Sequence, residues 1–91
     1  MIRRVVQIRN RLGLHARAAA KLVRTASHYD SDVKLSRAGG SQEIDGKSIL
    51  GILLLAASCG TELEFTVRGS DETEAAEAIE TLVRNRFGEE K

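Results

Sequence analysis

The chain has 91 residues, with 14 Lys and Arg against 13 Asp and Glu, a net charge of +1, one Cys and no Pro. That length predicts a single domain over 1–91, and the even charge balance argues against non-specific nucleic-acid binding, which needs a basic excess. Tyr29, Phe65 and Phe87 are too few to build a base-stacking platform, and the lone Cys59 excludes a disulfide framework and a multi-Cys zinc site.

In chain order, Ile2 to Ile8 is apolar at positions 2, 5, 6 and 8 and predicts a first strand. Gly13 breaks the pattern within a loop at 10–14. Ala16, Ala19, Ala20, Val23 and Ala26 recur at helical spacing and predict an amphipathic helix over about 16–27. Asp30-Ser31-Asp32 marks a turn, and Val33 and Leu35 alternate with Lys34 and Ser36 as a second strand. Gly39-Gly40 signals a hairpin leading to a short third strand, Gln42 to Ile44. After Asp45-Gly46, Ser48 is placed to cap an apolar helix running to Leu54 or Leu55. Its run from Ile49 to Ala57 is about half the ~20 residues needed to cross a bilayer. No membrane insertion is expected, and with no apolar signal segment after Met1 the expected compartment is cytoplasmic.

Leu63, Phe65 and Val67 alternate with Glu62, Glu64, Thr66 and Arg68 as a fourth strand. Ser70 or Asp71 then caps a last helix whose core side is Ala75, Ala76, Ile79, Leu82, Val83 and Phe87. The order β-α-β-β-α-β-α, with one wet face on the fourth strand, predicts an α+β fold: a two-layer sandwich of an antiparallel sheet with helices on one side. In the short apolar helix that Ser48 caps, Ile52 and Leu54 read as core residues, and Cys59 reads as a small apolar filler.

Charge is unevenly spread. Seven basic residues, Arg3, Arg4, Arg9, Arg11, Arg17, Lys21 and Arg24, precede the first acidic residue, Asp30. This stretch reads either as a solvated face or as a face that attracts an acidic partner or a phosphate. A mitochondrial presequence is disfavoured, because the same residues are needed to build the domain.

The chemical centre is Asn10-Arg11-Leu12-Gly13-Leu14-His15-Ala16-Arg17. His15 falls where loop becomes helix. The first N–H groups of a helix lack intrahelical partners and carry partial positive charge, so an anion is stabilised there. Arg17 adds a guanidinium in the same turn. The positive helix end also favours the neutral, nucleophilic imidazole. Together these describe a phosphoryl acceptor in which a ring nitrogen attacks phosphorus; an ordinary histidine N-cap is the plainer alternative. No metal site or cofactor is expected: His28, the only other histidine, lies at the far end of the helix, and no carboxylate precedes Asp30. No acid–base pair is evident near His15, which argues for carrying a group rather than hydrolysing it.

With Asp45-Gly46-Lys47-Ser48-Ile49-Leu50-Gly51 downstream, these residues resemble the HPr family, histidine-containing phosphocarriers of the bacterial phosphoenolpyruvate:sugar phosphotransferase system. The resemblance spans essentially the whole chain. It implies an open-faced β-sandwich of four antiparallel strands with three helices on one side. It also implies that His15 is phosphorylated on Nδ1 by enzyme I, which draws on phosphoenolpyruvate, and passes the group to the IIA domain of a sugar permease. Arg17 would stabilise the phosphate. Ser48 matches a serine that an ATP-dependent HPr kinase/phosphorylase modifies in many members. Ile49, Leu50 and Leu53 match docking residues, and Lys21, Arg24 and Lys47 would extend the contact surface of what is expected to be a monomer and not itself an enzyme.

Two departures stand out: Ala18 occupies a position commonly held by Pro, and the segment between His15 and Ser48 looks about two residues longer, which places the addition at Ala38-Gly39-Gly40-Ser41. Two other readings remain open at this point: a paralogue serving a regulatory, nitrogen-related phosphotransferase chain, and a small domain that binds RNA or a metabolite with no covalent step.

Overall fold

The computed structural model describes residues 1–91. Four strands, β1 (Ile2–Gln7), β2 (Asp32–Arg37), β3 (Ile44–Asp45) and β4 (Glu62–Arg68), form one sheet in the order β1-β4-β2-β3. Every neighbouring pair is antiparallel. Three helices, α1 (Ala16–Ser27), α2 (Ile49–Leu55) and α3 (Glu72–Arg84), complete the expected α+β order. The alternation in β4 explains its place inside the sheet: Leu63, Phe65 and Val67 are buried beneath the helices, while Glu62, Glu64, Thr66 and Arg68 point to the opposite face.

One cluster of 19 buried residues forms the core. From α1 it takes Ala18, Ala19, Leu22 and Ala26. The buried face is therefore rotated from the alanine pattern of the sequence, and Ala16 is exposed. Leu22 is the largest apolar side chain of that helix, and burying it turns the neighbouring face inward. Ala18 lies wholly in the core. An alanine is therefore accommodated in the first turn of α1, where it also supplies a good helix former.

Several expectations are corrected. β3 forms at Ile44–Asp45 rather than Gln42–Ile44, because only Ile44 and Asp45 pair with Leu35 and Lys34. Residues 38–43 are all exposed, including the place assigned to the longer segment. Ile52 is buried as expected, but Leu54 is 70% exposed. A seven-residue helix turns Ile52 and Leu55, three apart, toward the sheet, and Leu54 then faces away. Cys59 is no filler: it is exposed, and its thiol lies 3.7 Å from the Arg9 carbonyl.

Asp71 stands at the start of α3 without capping it. Its carboxylate instead accepts from the Ser31 hydroxyl and from the backbone N–H groups of Asp30 (2.9 Å) and Ser31 (3.0 Å), tying the turn after α1 to α3. The Ser31 hydroxyl, and then the Asp30 N–H, hold this carboxyl below its ordinary range. A lowered folded-state value contributes stability above the ordinary carboxylate range, and that contribution is lost as pH falls through the lowered value. Glu72, the first residue of the helix, accepts from the Gly69 N–H of the preceding turn at 3.1 Å.

The helix stops at Arg84, short of Phe87. Arg86 and Phe87 then adopt left-handed backbone, with φ of 57° and 55°. Such conformations cost roughly 1–3 kcal/mol each in non-glycine residues. Complete burial of the Phe87 ring opposes that cost. The chain reverses there, and residues 89–91 run back across the start of α1.

Candidate functional site at the start of α1

The loop 10–15 is shaped by a close approach. Gly13 has φ of +68°, and a Cβ there would lie 2.5 Å from the Ala57 carbonyl oxygen. Leu14 N–H donates to that same carbonyl at 2.9 Å. The loop is thereby pressed against the segment that follows α2. Asn10, fully buried, spans it by donating from Nδ2 to the Gly13 carbonyl at 2.7 Å.

His15 is the N-cap of α1, in extended backbone. Its Nδ1 accepts from the Arg17 backbone N–H at 3.3 Å. A backbone N–H can only donate, so Nδ1 carries the lone pair and Nε2 the proton. Nε2 meets Oε2 of Glu89 at 2.5 Å. The other carboxylate oxygen accepts from Asn10 Nδ2 at 3.0 Å. Arg17 Nε lies 3.7 Å from Glu89 Oε2, and the Arg17 side chain is otherwise well exposed. Desolvation, the largest single influence, raises the Glu89 carboxyl, but hydrogen bonds from Asn10 and His15 and the charge of Arg17 hold it below its ordinary value. Ionised Glu89 is a pure acceptor, which agrees with a proton on Nε2.

Arg11, Leu12, Arg17, Glu89 and Lys91 line a cavity of about 300 Å³ beside the histidine. Three of the five are cations. The tail is pinned there by Arg11 N–H, which donates to the Lys91 carbonyl at 2.9 Å, and by Lys21, whose ammonium donates to the Phe87 carbonyl at 2.7 Å. No three His, Cys, Asp or Glu side chains converge to hold a metal ion.

His15 and Arg17 are thus brought together as the sequence predicts. Arg24 is exposed, while Lys21 is occupied by the tail and Lys47 donates to the Tyr29 carbonyl at 2.9 Å. Ser48 caps α2 by accepting from Gly51 N–H at 3.2 Å. Next to it Ile49, Leu50 and Leu53 are 44%, 65% and 37% exposed, and Leu54 extends this apolar patch. His28, at the other end of α1, binds only its own helix carbonyl at Arg24.

The sequence reading placed no acid–base partner near His15, and the structure corrects this by bringing Glu89 to it. Asn10 lay inside the recognised motif without an assigned part. Glu89 gave no signal, because Glu89-Glu90-Lys91 reads as a solvated run of charge.

A family model described as the phosphotransferase-system HPr component phosphorylation site matches residues 2–85. The chain is similar to phosphocarrier protein HPr of Cupriavidus necator, 47% identical over 89 residues and 98% of each chain. It is likewise similar to that of Treponema pallidum, 46% identical over 99% of this chain and 100% of the other. Among solved structures, an HPr from Thermoanaerobacter tengcongensis superposes with a TM-score of 0.93 at 37% identity, covering 100% of both chains. A structure described as an HPr dimer from the same organism gives 0.77 at 38% identity, covering 92% of this chain and 94% of the other. With its motif, its fold and its full-length relatives in agreement, the chain belongs to the HPr family of phosphocarrier proteins of the phosphotransferase system.

Proposed function

We propose that His15 is the phosphoryl acceptor and that its Nδ1 makes the bond to phosphorus. The observation that carries this reading is the orientation of the ring: Nδ1 faces the first turn of α1 with its lone pair, next to Arg17. In the transfer, the Nδ1 lone pair forms the N–P bond and the donor's bond to phosphorus breaks, with its electron pair leaving on the donor. The phosphoryl oxygens then rest against the freed N–H groups of the helix start and the Arg17 guanidinium.

The donor is phosphorylated enzyme I, charged from phosphoenolpyruvate, and the acceptor is the IIA domain of a sugar permease. The domain 1–91 works as one unit, as a cytoplasmic monomer. Each partner docks on a surface that combines Arg17, Lys21, Arg24 and Lys47 with Ile49, Leu50 and Leu53. Basic charge steers the encounter, and the apolar side chains supply contact area. Ser48 is a regulatory phosphorylation site, open to an HPr kinase/phosphorylase. No helix is long and apolar enough to cross a membrane, which agrees with a carrier that moves between partners.

The test is labelling with phosphoenolpyruvate and catalytic enzyme I. The expected result is stoichiometric, acid-labile label that chases onto a IIA domain. A chain that stays unlabelled beside a competent HPr control would contradict the reading.

A further inference from the structure

Glu89 is the one carboxylate that touches the reacting histidine, and it belongs to a segment past the residues matched by the family model. Three neighbours hold it in place. Asn10 donates to Oε1, His15 donates to Oε2, and the Arg17 guanidinium lies 3.7 Å from Oε2. The Asn10 amide cannot rotate freely. Its two N–H groups serve the Gly13 carbonyl and Glu89, and its own oxygen is buried without a partner. Leaving that oxygen unpaired opposes burial, so this arrangement spends an unmet acceptor to aim two donors, one at the site loop and one at Glu89.

The imidazole is therefore held from both sides. The helix start claims the lone pair of Nδ1, and the tail carboxylate claims the proton on Nε2. We infer that Glu89 is a positioning residue for phosphoryl transfer: it fixes His15 in the Nε2–H tautomer, which keeps Nδ1 unprotonated and able to attack once the Arg17 N–H releases its lone pair, and it faces the positive charge that the ring gains on attack. This rests on the phosphocarrier reading above.

The neutral ring gives its Nδ1 lone pair to phosphorus, and the P–X bond of the phosphorylated donor breaks with its pair leaving on X. Nε2 keeps its proton throughout, so the ring passes from neutral to cationic. The Glu89 carboxylate meets that charge across the existing hydrogen bond. The new phosphoryl oxygens claim Arg17, which leaves its longer contact with Glu89. Return transfer runs the same steps in reverse. A buried or half-buried carboxylate that orients a histidine in this way acts through the histidine and never on phosphorus.

The experiment uses the full chain as wild type, Glu89→Gln and Glu90→Gln. Glu90 is exposed and sits beside Glu89, so its variant reproduces the change in net charge alone. Two quantities are read: the single-turnover rate of transfer from phosphorylated enzyme I, and the ring nitrogen chemical shifts of His15 in the unphosphorylated protein, which report the tautomer. Expected are an Nε2–H tautomer in wild type and Glu90→Gln, and for Glu89→Gln a mixture of tautomers with transfer slower by about 10- to 100-fold. An unchanged tautomer with a rate within about twofold of wild type would overturn the role. So would faster transfer, which would make the tail a plug that competes with phosphate for Arg17. If the wild type accepts no phosphoryl group at all, the phosphocarrier reading fails, and the nitrogen shifts still decide whether Glu89 sets the tautomer.

Discussion

Two helices of this chain begin with a side chain folded back onto its own backbone, and they differ in everything around that cap. At α1 the cap is His15, with Nδ1 on the Arg17 N–H, a guanidinium beside it and a carboxylate behind it. At α2 the cap is Ser48, with its hydroxyl on the Gly51 N–H and a row of exposed apolar side chains, Ile49, Leu50, Leu53 and Leu54, beside it. Both starts offer unpaired N–H groups to an anion. What each can do with a phosphate depends on the capping atom. Phosphate on an imidazole nitrogen remains activated and can be handed on. Phosphate on a serine oxygen is a stable ester and persists as charge. The proposed carrier site and the proposed regulatory site thus share a backbone geometry and diverge in side-chain chemistry.

The largest effect is expected for His15→Ala. Acceptance from enzyme I is expected to vanish, with the fold retained. The cap bond is long, at 3.3 Å, and exposed, so its loss should cost at most about 1–2 kcal/mol, read as a small shift in Tm. Acid-labile label persisting on that variant would move the site elsewhere, and His28 would be the next residue to test.

Arg17→Ala sharpens the difference between the two helix starts, because only α1 carries a guanidinium in its first turn. Transfer should slow by about tenfold or more in both directions. Tm should barely move, since the Arg17 side chain is 67% exposed and such ion pairs contribute about 0–1 kcal/mol. Normal rates with a large loss of stability would make Arg17 structural.

The smallest effect is expected for Ser48→Asp. It adds about one unit of charge at a helix start, where the fold tolerates it. Docking to enzyme I or IIA should weaken by about fivefold at low salt and less at high salt, with circular dichroism unchanged. Equal affinities at low salt would place Ser48 outside the docking surface.

How far the sequence reaches follows the same division. The span of α1, the alternation of β4 and the meeting of His15 with Arg17 are set by local pattern, and local pattern is what a sequence displays. The rotated face of α1 depends on which of its apolar residues the sheet can accept, so periodicity alone misassigned Ala16. Leu54 was misassigned because a short apolar run does not say which of its faces is covered. The tail was hidden for a different reason. Arg86 and Phe87 take left-handed backbone just ahead of Gly88, a conformation their own side chains do not announce, and the turn forms because Phe87 has a place in the core. Glu89 reaches His15 only through that tertiary event, 74 residues along the chain.

The carrier function proposed for this chain requires that phosphorus join Nδ1 of His15. Its most direct test is nitrogen–phosphorus coupling in the phosphorylated chain with ring-labelled histidine. One coupled pair is expected, at Nδ1 of His15, with Nε2 still protonated. Phosphorus on Nε2, or on His28, would contradict it.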